Sequence, residues 1–339
     1  MYYADSFKIN SNYIHSSIST GQSLYISNCN GGKEIIGNKL VTTSSNAIYL
    51  YYSNGIAASP TKIANNFIHQ SAQTAQTVYL YQSSYINFDF NSIHSKGSNS
   101  SNNIYIYGGS NYNLRNNNVI NMAGGYVLYA STQTAILSSD YNNYFTSGNY
   151  IAYWNGNRTT LSALQSASGK EANSLNNNVT FYTDENLHIS GSSLNNLGTP
   201  VAGITTDYDG QIRNATTPDI GADEFSIYPN DGGLTSFQNM TSICPGSAQS
   251  VKVSLKNFGY NALTNVNFGW SINGNMQSNY VWTGLLGALN TTTATIGSYS
   301  FSSDTTYSIK VWIKNVNSTT DSNAYNDTII LSNYHTSFA

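Results

Sequence analysis

Charge is scarce in this chain. Asp, Glu, Lys and Arg make up 9% of its 339 residues, against about 25% in an ordinary soluble domain. The net charge is −3 and no basic stripe is present, which argues against a nucleic-acid partner. Cysteine occurs twice, at Cys29 and Cys244, too few for a disulfide framework or a thiolate metal site. Each reads as a buried or idle thiol. No apolar run approaches the roughly 18 residues that a membrane span requires. The opening MYYADSFKIN lacks the basic-then-apolar pattern of a signal peptide. Proline appears only 5 times.

Asn, Ser, Thr and Gly carry the polar load instead, and Tyr is present 28 times. Tyr and Thr favour pleated, half-exposed surfaces, while Asn and Gly favour tight corners. The mixture predicts an all-β protein. Self-similarity supports this. The phrase apolar-x-x-Asn-x-apolar recurs as INSNYI, IIGNKL, IANNFI, FDFNSI and LRNNNV, with a degraded DYNNYF from Asp140. Its asparagines are Asn12, Asn38, Asn66, Asn91, Asn117 and Asn143. Each copy is followed by an alternating run such as IYLY from Ile48, VYLY from Val78 or IYIY from Ile104. A repeat of about 26 residues without a helix is too short for a propeller blade of ~40–45 residues. Coiled once per repeat, it becomes a right-handed parallel β-helix of about six rungs, with Ile, Leu and Val columns inside.

The register has an internal check. Lys8, Glu34 and Lys62 fall four residues before the aligned asparagines of rungs one to three, so stacking sets opposite charges side by side. The Asn column is expected at an inward corner, its amides bonded along the stack. That structural reading is preferred to a ligand-binding row.

Residues 7 to 225 resemble the parallel β-helix family that contains the pectate lyases and many secreted proteins. TTLSALQSASGKEANSL, TTDYDGQIR and PDIGADEF resemble the closing segment of β-helix proteins exported by type IX secretion in Gram-negative bacteria. The resemblance implies a secreted or cell-surface location and specifies no activity. Leu161 to Ser168 reads as a short helix, with Thr160 as N-cap and Gly169 as stop. Asp207, Asp209, Arg213, Asp219, Asp223 and Glu224 form the densest charge cluster of the chain and are expected to cap the rod end, with Arg213 paired to a carboxylate. The alternative for this cluster is a calcium site on Asp207 and Asp209, although its Gly spacing does not fit an EF-hand. No other cofactor is expected. The first rung starts without an equivalent cap, so this chain is expected to be part of a longer one.

The organisation expected is therefore a β-helix with terminal cap over 1–225, a linker over 226–236 and an immunoglobulin-like β-sandwich over 237–339. SICPGSAQSVKVSLKNFG and NVNSTTDSNAYNDTI resemble the adhesion-type sandwich modules that follow β-helices in such proteins. Asp321 and Asp327 are read there as solvated loop residues rather than cation ligands.

Enzymes of the resembled family cleave polysaccharides on the outer face of their rungs, and glycoside hydrolysis needs two carboxylates within about 5–10 Å. The repeats hold only Asp5, Glu34, Asp89 and Asp140, on different rungs and columns. Asp89 is expected to face outward in a surface pair with Arg115, and Asp140 to point inward. No catalytic pair results. His15, His69 and His94 share a column and read as surface residues, since no third metal ligand joins them. The outward positions of the second strand hold Tyr25, Tyr49, Tyr79 and Tyr105 in one column and Tyr51, Tyr81, Tyr107 and Tyr129 in the next. Solvent-facing aromatic patches of that size mark binding surfaces. The preferred function is a non-catalytic extracellular scaffold or adhesion segment, binding a polysaccharide or another surface protein through these tyrosines. The alternative is a fragment of a polysaccharide-active β-helix enzyme, a lyase or glycoside hydrolase, whose active site lies outside this chain.

Overall fold

A computed structural model describes residues 1–17, 21–43, 46–71, 76–97, 101–189, 193–225, 228–238, 248–324 and 326–336. Cys244 lies outside the described residues. The chain divides into two units, Met1–Ser226 and Ile227–Ala339.

The first unit is a parallel β-helix. About five full turns carry the chain through six parallel strands in each of three sheets. Each Asn phrase contributes two strands rather than one, because the chain turns a corner just before the asparagine. Ser11, Gly37, Asn65, Phe90, Asn116 and Tyr141 take up that corner in left-handed backbone, with φ between 53° and 66°. The strand before the corner belongs to a polar sheet: Lys8–Asn10, Glu34–Ile36, Thr61–Ala64, Ser84–Asp89, Ser110–Arg115 and Ile136–Asp140. The strand after it belongs to a second sheet: Tyr13–Ser16, Lys39–Thr42, Phe67–Gln70, Ser92–Ser95, Asn118–Asn121 and Asn143–Thr146. The alternating runs form a third, tyrosine-bearing sheet: Leu24–Ser27, Ile48–Tyr51, Val78–Tyr81, Ile104–Tyr107, Leu128–Ala130 and Ala152–Trp154. Ile35, Ile63, Phe88 and Leu114 from the first sheet meet Leu40, Ile68, Ile93 and Val119 from the second and Ile48, Val78, Ile104 and Leu128 from the third in one continuous, fully buried core.

The asparagine column is internal and bivalent. Asn38 donates its backbone N–H and its Nδ2–H to Asn66 Oδ1, at 2.9 and 3.0 Å. Its Nδ2 also donates to Ile9 O, at 2.7 Å. Asn66 and Asn91 repeat the pattern on the next rungs. The sixth member is Asn142, not Asn143: Asn117 N and Nδ2 reach Asn142 Oδ1 at 2.9 and 3.0 Å. The rung leading into it is short: Tyr112 pairs with Ile136, 24 residues on, and a bulge at Leu137 restores only one residue, so Leu114 pairs with Ser139 and the column spacing is 25. Asn143 therefore sits one place on, in register with Asn118. The same shift aligns Ser139 with Leu114 and Asp140 with Arg115, so Asp140 points outward and accepts from Asn173.

Lys8, Glu34 and Lys62 are direct neighbours in register, with ion pairs of 2.7 and 3.7 Å to Glu34. Lys8 holds the Glu34 carboxyl below its ordinary value. The column continues through Asn87, Asn113 and Ser138, joined by side-chain hydrogen bonds of 2.8 and 2.6 Å.

The rod end is closed by the helix Leu161–Ser168, capped by Thr160 Oγ1 accepting from Ala163 N and stopped by Gly169 at φ 65°. Leu164 is fully buried against the core and Leu161 packs beside it. Glu171 and Ser174 finish the asparagine column: Asn142 N donates to Ser174 Oγ at 2.9 Å and Asn142 Nδ2 to Glu171 Oε2 at 3.1 Å. Ser139 and Ser174 also donate to the buried Glu171 carboxylate. Burial pushes that carboxyl up. The charge cluster expected at this end is elsewhere, on the flank of the rod.

The second unit is an antiparallel β-sandwich. Gly232–Gln238, Ala248–Asn257 and Thr291–Ser300 form one sheet; Leu263–Ile272, Asn275–Met276, Tyr280–Leu286, Thr305–Val316 and Thr328–Thr336 form the other. Val251, Val253, Leu255, Phe268, Trp270, Ile309 and Val311 make the shared core. The stretch read as a linker over 226–236 already enters the first sheet at Gly232, because Leu234 and Leu255 pair across the strands.

Candidate functional site

The three outer faces of the rod differ in what lies on them. The polar sheet carries the Lys–Glu–Lys and Asn–Ser column. The second sheet is covered by the chain itself. Residues 175–189 and 193–225 run back along it as a flap and build a separate apolar cluster from Phe67 and Ile120 of the sheet with Val179, Phe181, Leu187, Ile189, Leu194 and Ile220 of the flap. His69 and His94 are consequently buried, not surface residues. Their rings lie 5.3 Å apart, and His94 Nδ1 faces Asp184 O at 3.3 Å. Burial holds His69 down to about 4, so it packs as a neutral ring. His15, on the first rung, is exposed. The column between them is completed by Val41 and Ile120.

The third face bears the tyrosines. Tyr25, Tyr49, Tyr79, Tyr105, Tyr129 and Tyr153 occupy one register position on six successive rungs. Ring centroids are 5.2, 4.8, 5.0, 4.6 and 4.5 Å apart in that order. Tyr51, Tyr81 and Tyr107 form a second column at 5.1 and 5.0 Å. Tyr129 belongs to the first column, not the second as its sequence phrase implied. The rung spacing there falls to 24 residues, pairing Leu128 with Ile104. Most neighbours in a column are near parallel, within 14°. Tyr79 and Tyr105 cross at 82°. Rings stacked on one another cover each other's faces along the rod, so the columns offer outward a row of ring edges and phenol tips. Mutual burial pushes Tyr49 up to about 12, with Tyr25, Tyr51 and Tyr81 adding to the effect. Tyr52, Tyr126 and Tyr150 extend the aromatic surface at its margins.

No carboxylate pair of the glycosidase kind lies among these columns. Asp89, expected at the surface, is 1% exposed beneath Arg115. Arg115 Nε and Nη2 hold its two oxygens at 2.8 and 2.9 Å. Glu34 is shared between two lysines.

The flap gathers the remaining charge. Arg213 is buried, with its Nη1 on Glu224 at 3.2 Å, its Nη2 on Asn65 Oδ1 and Gly221 O at 3.0 Å, and its guanidinium 4.0 Å from the Phe90 ring centre. Asp207 turns both oxygens to backbone amides: Asp209 N and Gln211 N on Oδ1, Glu224 N on Oδ2. Asp219 likewise accepts from Asn196 N and Phe225 N, and burial pushes it up to about 7. Asp209 instead faces His188, whose Nε2 is 2.5 Å from Asp209 Oδ2. Asp223, 3% exposed, is the third member: ligand atoms of His188, Asp209 and Asp223 all lie within 4.8 Å of one another. Of the alternative pair Asp207 and Asp209, Asp207 is bonded to backbone amides and Asp209 faces His188. Sequence inspection missed His188 because it lies 21 residues from Asp209 in no recognisable motif.

Among the described residues of the first unit, two buried charges carried no sequence signal. Glu171 closes the asparagine column. Lys33, fully buried, donates to Cys29 O, Gly31 O and Asn54 O at 3.0, 2.8 and 2.9 Å, and burial lowers it to about 8. In the sandwich, Asp321 is buried and accepts from Gly232 N and Asn323 N. Asp327 lies beside it, and Asp231 nearby takes Asn326 Nδ2 at 2.8 Å. Burial and the neighbouring carboxylates push Asp327 up to about 7.

No protein-family model matches the sequence, and no curated protein does. Among solved structures, the chain is similar to the CARDB domain of the PF1109 protein of Pyrococcus furiosus. The crystal structure of that domain, in complex with di-metal ions, matches at 17% identity over 32% of this chain and 93% of the domain, with a TM-score of 0.26. Its solution structure matches at 22% identity over 30% of this chain and 95% of the domain, with a TM-score of 0.24.

Proposed function

We propose that the chain is a non-catalytic segment of a secreted or surface-displayed protein, of the pectate-lyase-like, type IX-exported kind, and that its tyrosine face binds an extended glycan. One observation carries the reading. The chain spends about fifty residues covering one outer face of its rod, yet leaves nine tyrosines in two registered columns on another. These rings are half-buried by one another, and Tyr107 is 40% exposed. A periodic row of ring edges and hydroxyl tips suits a linear, hydroxyl-rich polymer laid along the rod better than a compact ligand. Each contact is modest, of order 1 kcal/mol, so retention relies on many rungs acting together.

The test is affinity electrophoresis of the whole chain through gels carrying soluble polysaccharides, beside a glycan array. The wild type is expected to be retarded by at least one polymer. Tyr79→Ser with Tyr105→Ser should weaken that retention about tenfold or more while leaving the far-ultraviolet spectrum unchanged. Retention unaffected by the double substitution would remove the tyrosine face from the function. Shortening of the retained polymer would move the chain to the polysaccharide-active reading.

A further inference from the structure

The cluster on the flap brings one imidazole and two carboxylates together. Asn186 Oδ1 accepts from the backbone N–H of His188, which fixes that atom as the amide oxygen. His188 Nδ1 faces the same oxygen. An acceptor opposite Nδ1 places a ring proton there, which leaves Nε2 to meet the carboxylates through a second proton or through a metal ion. Nε2 lies 2.5 Å from Asp209 Oδ2, with the buried Asp223 carboxylate alongside. The positive centre between them is a proton on Nε2 or a metal ion: a proton there bonds Asp209 alone, whereas a metal ion can take Asp223 as well. Among the described residues no lysine or arginine forms an ion pair with Asp209 or Asp223. Arg213 is committed to Glu224, Lys39 to Glu185 and Lys96 to Asp184.

We propose that His188 Nε2, Asp209 and Asp223 bind a divalent transition-metal cation, with zinc the best match to one imidazole nitrogen and two carboxylate oxygens. Zinc takes such donors at about 2.0–2.2 Å in a tetrahedron, which small rotations of the three side chains satisfy, with water as fourth ligand. Calcium prefers six to eight oxygens and fits poorly around an imidazole. Asn186 supplies the outer-shell hydrogen bond that orients a metal-bound histidine. Phe67 and Tyr208, stacked at 4.0 Å, wall the site, with the His188 ring edge-on to Phe67 at 4.9 Å. The three ligands come from three separate stretches of the flap, so the ion pins these stretches to one another above Phe67 of the rod.

The experiment uses the whole chain, free of any histidine tag and stripped with chelator. Cobalt is titrated while visible d–d absorption is followed, and zinc is then added. One equivalent of cobalt should give the intense bands of a four-coordinate site, and zinc should abolish them. Asp209→Asn, at a partly exposed position, should remove the signal, and Asn186→Ala should weaken binding about tenfold or more. The His188 Nε2 resonance should shift on adding zinc to wild type. A folded wild type that gives no cobalt bands and no nitrogen shift, or an Asp209→Asn chain that binds like wild type, overturns the proposal.

Discussion

Asn117 gives both its backbone N–H and its Nδ2–H to the amide oxygen of Asn142. The same two-donor grip joins every successive pair in the column. Each amide oxygen therefore accepts from two donors of the rung before it. Asn66→Leu removes the acceptor for Asn38 N and Asn38 Nδ2 and the donor to Ile35 O. The expected cost is about 1–3 kcal/mol. Hydrogen exchange localises it: the Asn38 amide should lose protection, while amides of the last rung keep theirs. Unchanged exchange at Asn38 would show that the column is not structural.

The Asp89–Arg115 pair joins adjacent rungs bidentately, and its acidic half is buried. Burial pushes the Asp89 carboxyl up and Arg115 opposes that shift. Arg115→Ala leaves a buried carboxylate without its cation, at an expected cost of about 3 kcal/mol. Removing both partners, as Asp89→Leu with Arg115→Leu, should cost much less. A double-mutant cycle on thermal unfolding measures the difference. Additive single costs would place the pair at the surface, where it would contribute about 1 kcal/mol or less.

What was legible in the sequence is what the rungs repeat. Alternation assigns Ile48, Val78 and Ile104 to the core and Tyr49, Tyr79 and Tyr105 to the outside. Lys8, Glu34 and Lys62 give the register, and Thr160 and Gly169 bound the helix. Misreadings arose where the repeat length changes. A short rung, of which the bulge at Leu137 restores only one residue, moved the column from Asn143 to Asn142, and its 24-residue spacing moved Tyr129 across one column. The flap was illegible because it repeats nothing. Its contacts, such as Asn116 with Thr199 at 83 residues' separation, are set by tertiary packing. For that reason His69 and His94 read as surface residues, and the charges around Asp207 read as an end cap. Lys33 and Glu171 escaped notice because their partners are backbone carbonyls and the last hydroxyls of a column.

Acidic groups in the sandwich predict a pH dependence of defined sign. Asp231 is pushed up to about 6 and Asp327 to about 7, chiefly by burial. A carboxyl whose value is raised on folding binds its proton more tightly in the folded state. Its stabilising contribution is complete below the unfolded value near 4 and is lost as pH rises through the folded value. The second unit should therefore lose stability between about pH 4 and pH 7. Asp327→Asn keeps a donor toward Asp321 and removes one titration. Melting temperatures across this range, read by the tryptophans of the sandwich, should vary less in the variant and be higher than wild type at pH 8. A wild-type melting temperature that rises across the range would refute the assignment.

Arg213 is one of the points where the flap is locked to the rod. Its guanidinium reaches Glu224 and Gly221 within the flap and Asn65 and the Phe90 ring on the rod. Arg213→Met keeps an apolar stem against Phe90 but deletes three hydrogen bonds and the cation beside Glu224. Glu224 retains its contacts to Asn214 N and Asp219 N, so the loss should stay local, at about 2–3 kcal/mol. Limited proteolysis should then cut within residues 175–225 well before any cleavage of the rungs. The tyrosine columns lie on another sheet, so the near-ultraviolet signal of their stacked rings should survive that cleavage. Equal protease resistance in the variant would mean that the apolar contacts of Phe67 and Ile120 and the hydrogen bonds of Asn116 and Ser92 hold the flap without Arg213. Loss of the tyrosine signal together with the flap would mean that the rod does not persist without its cover.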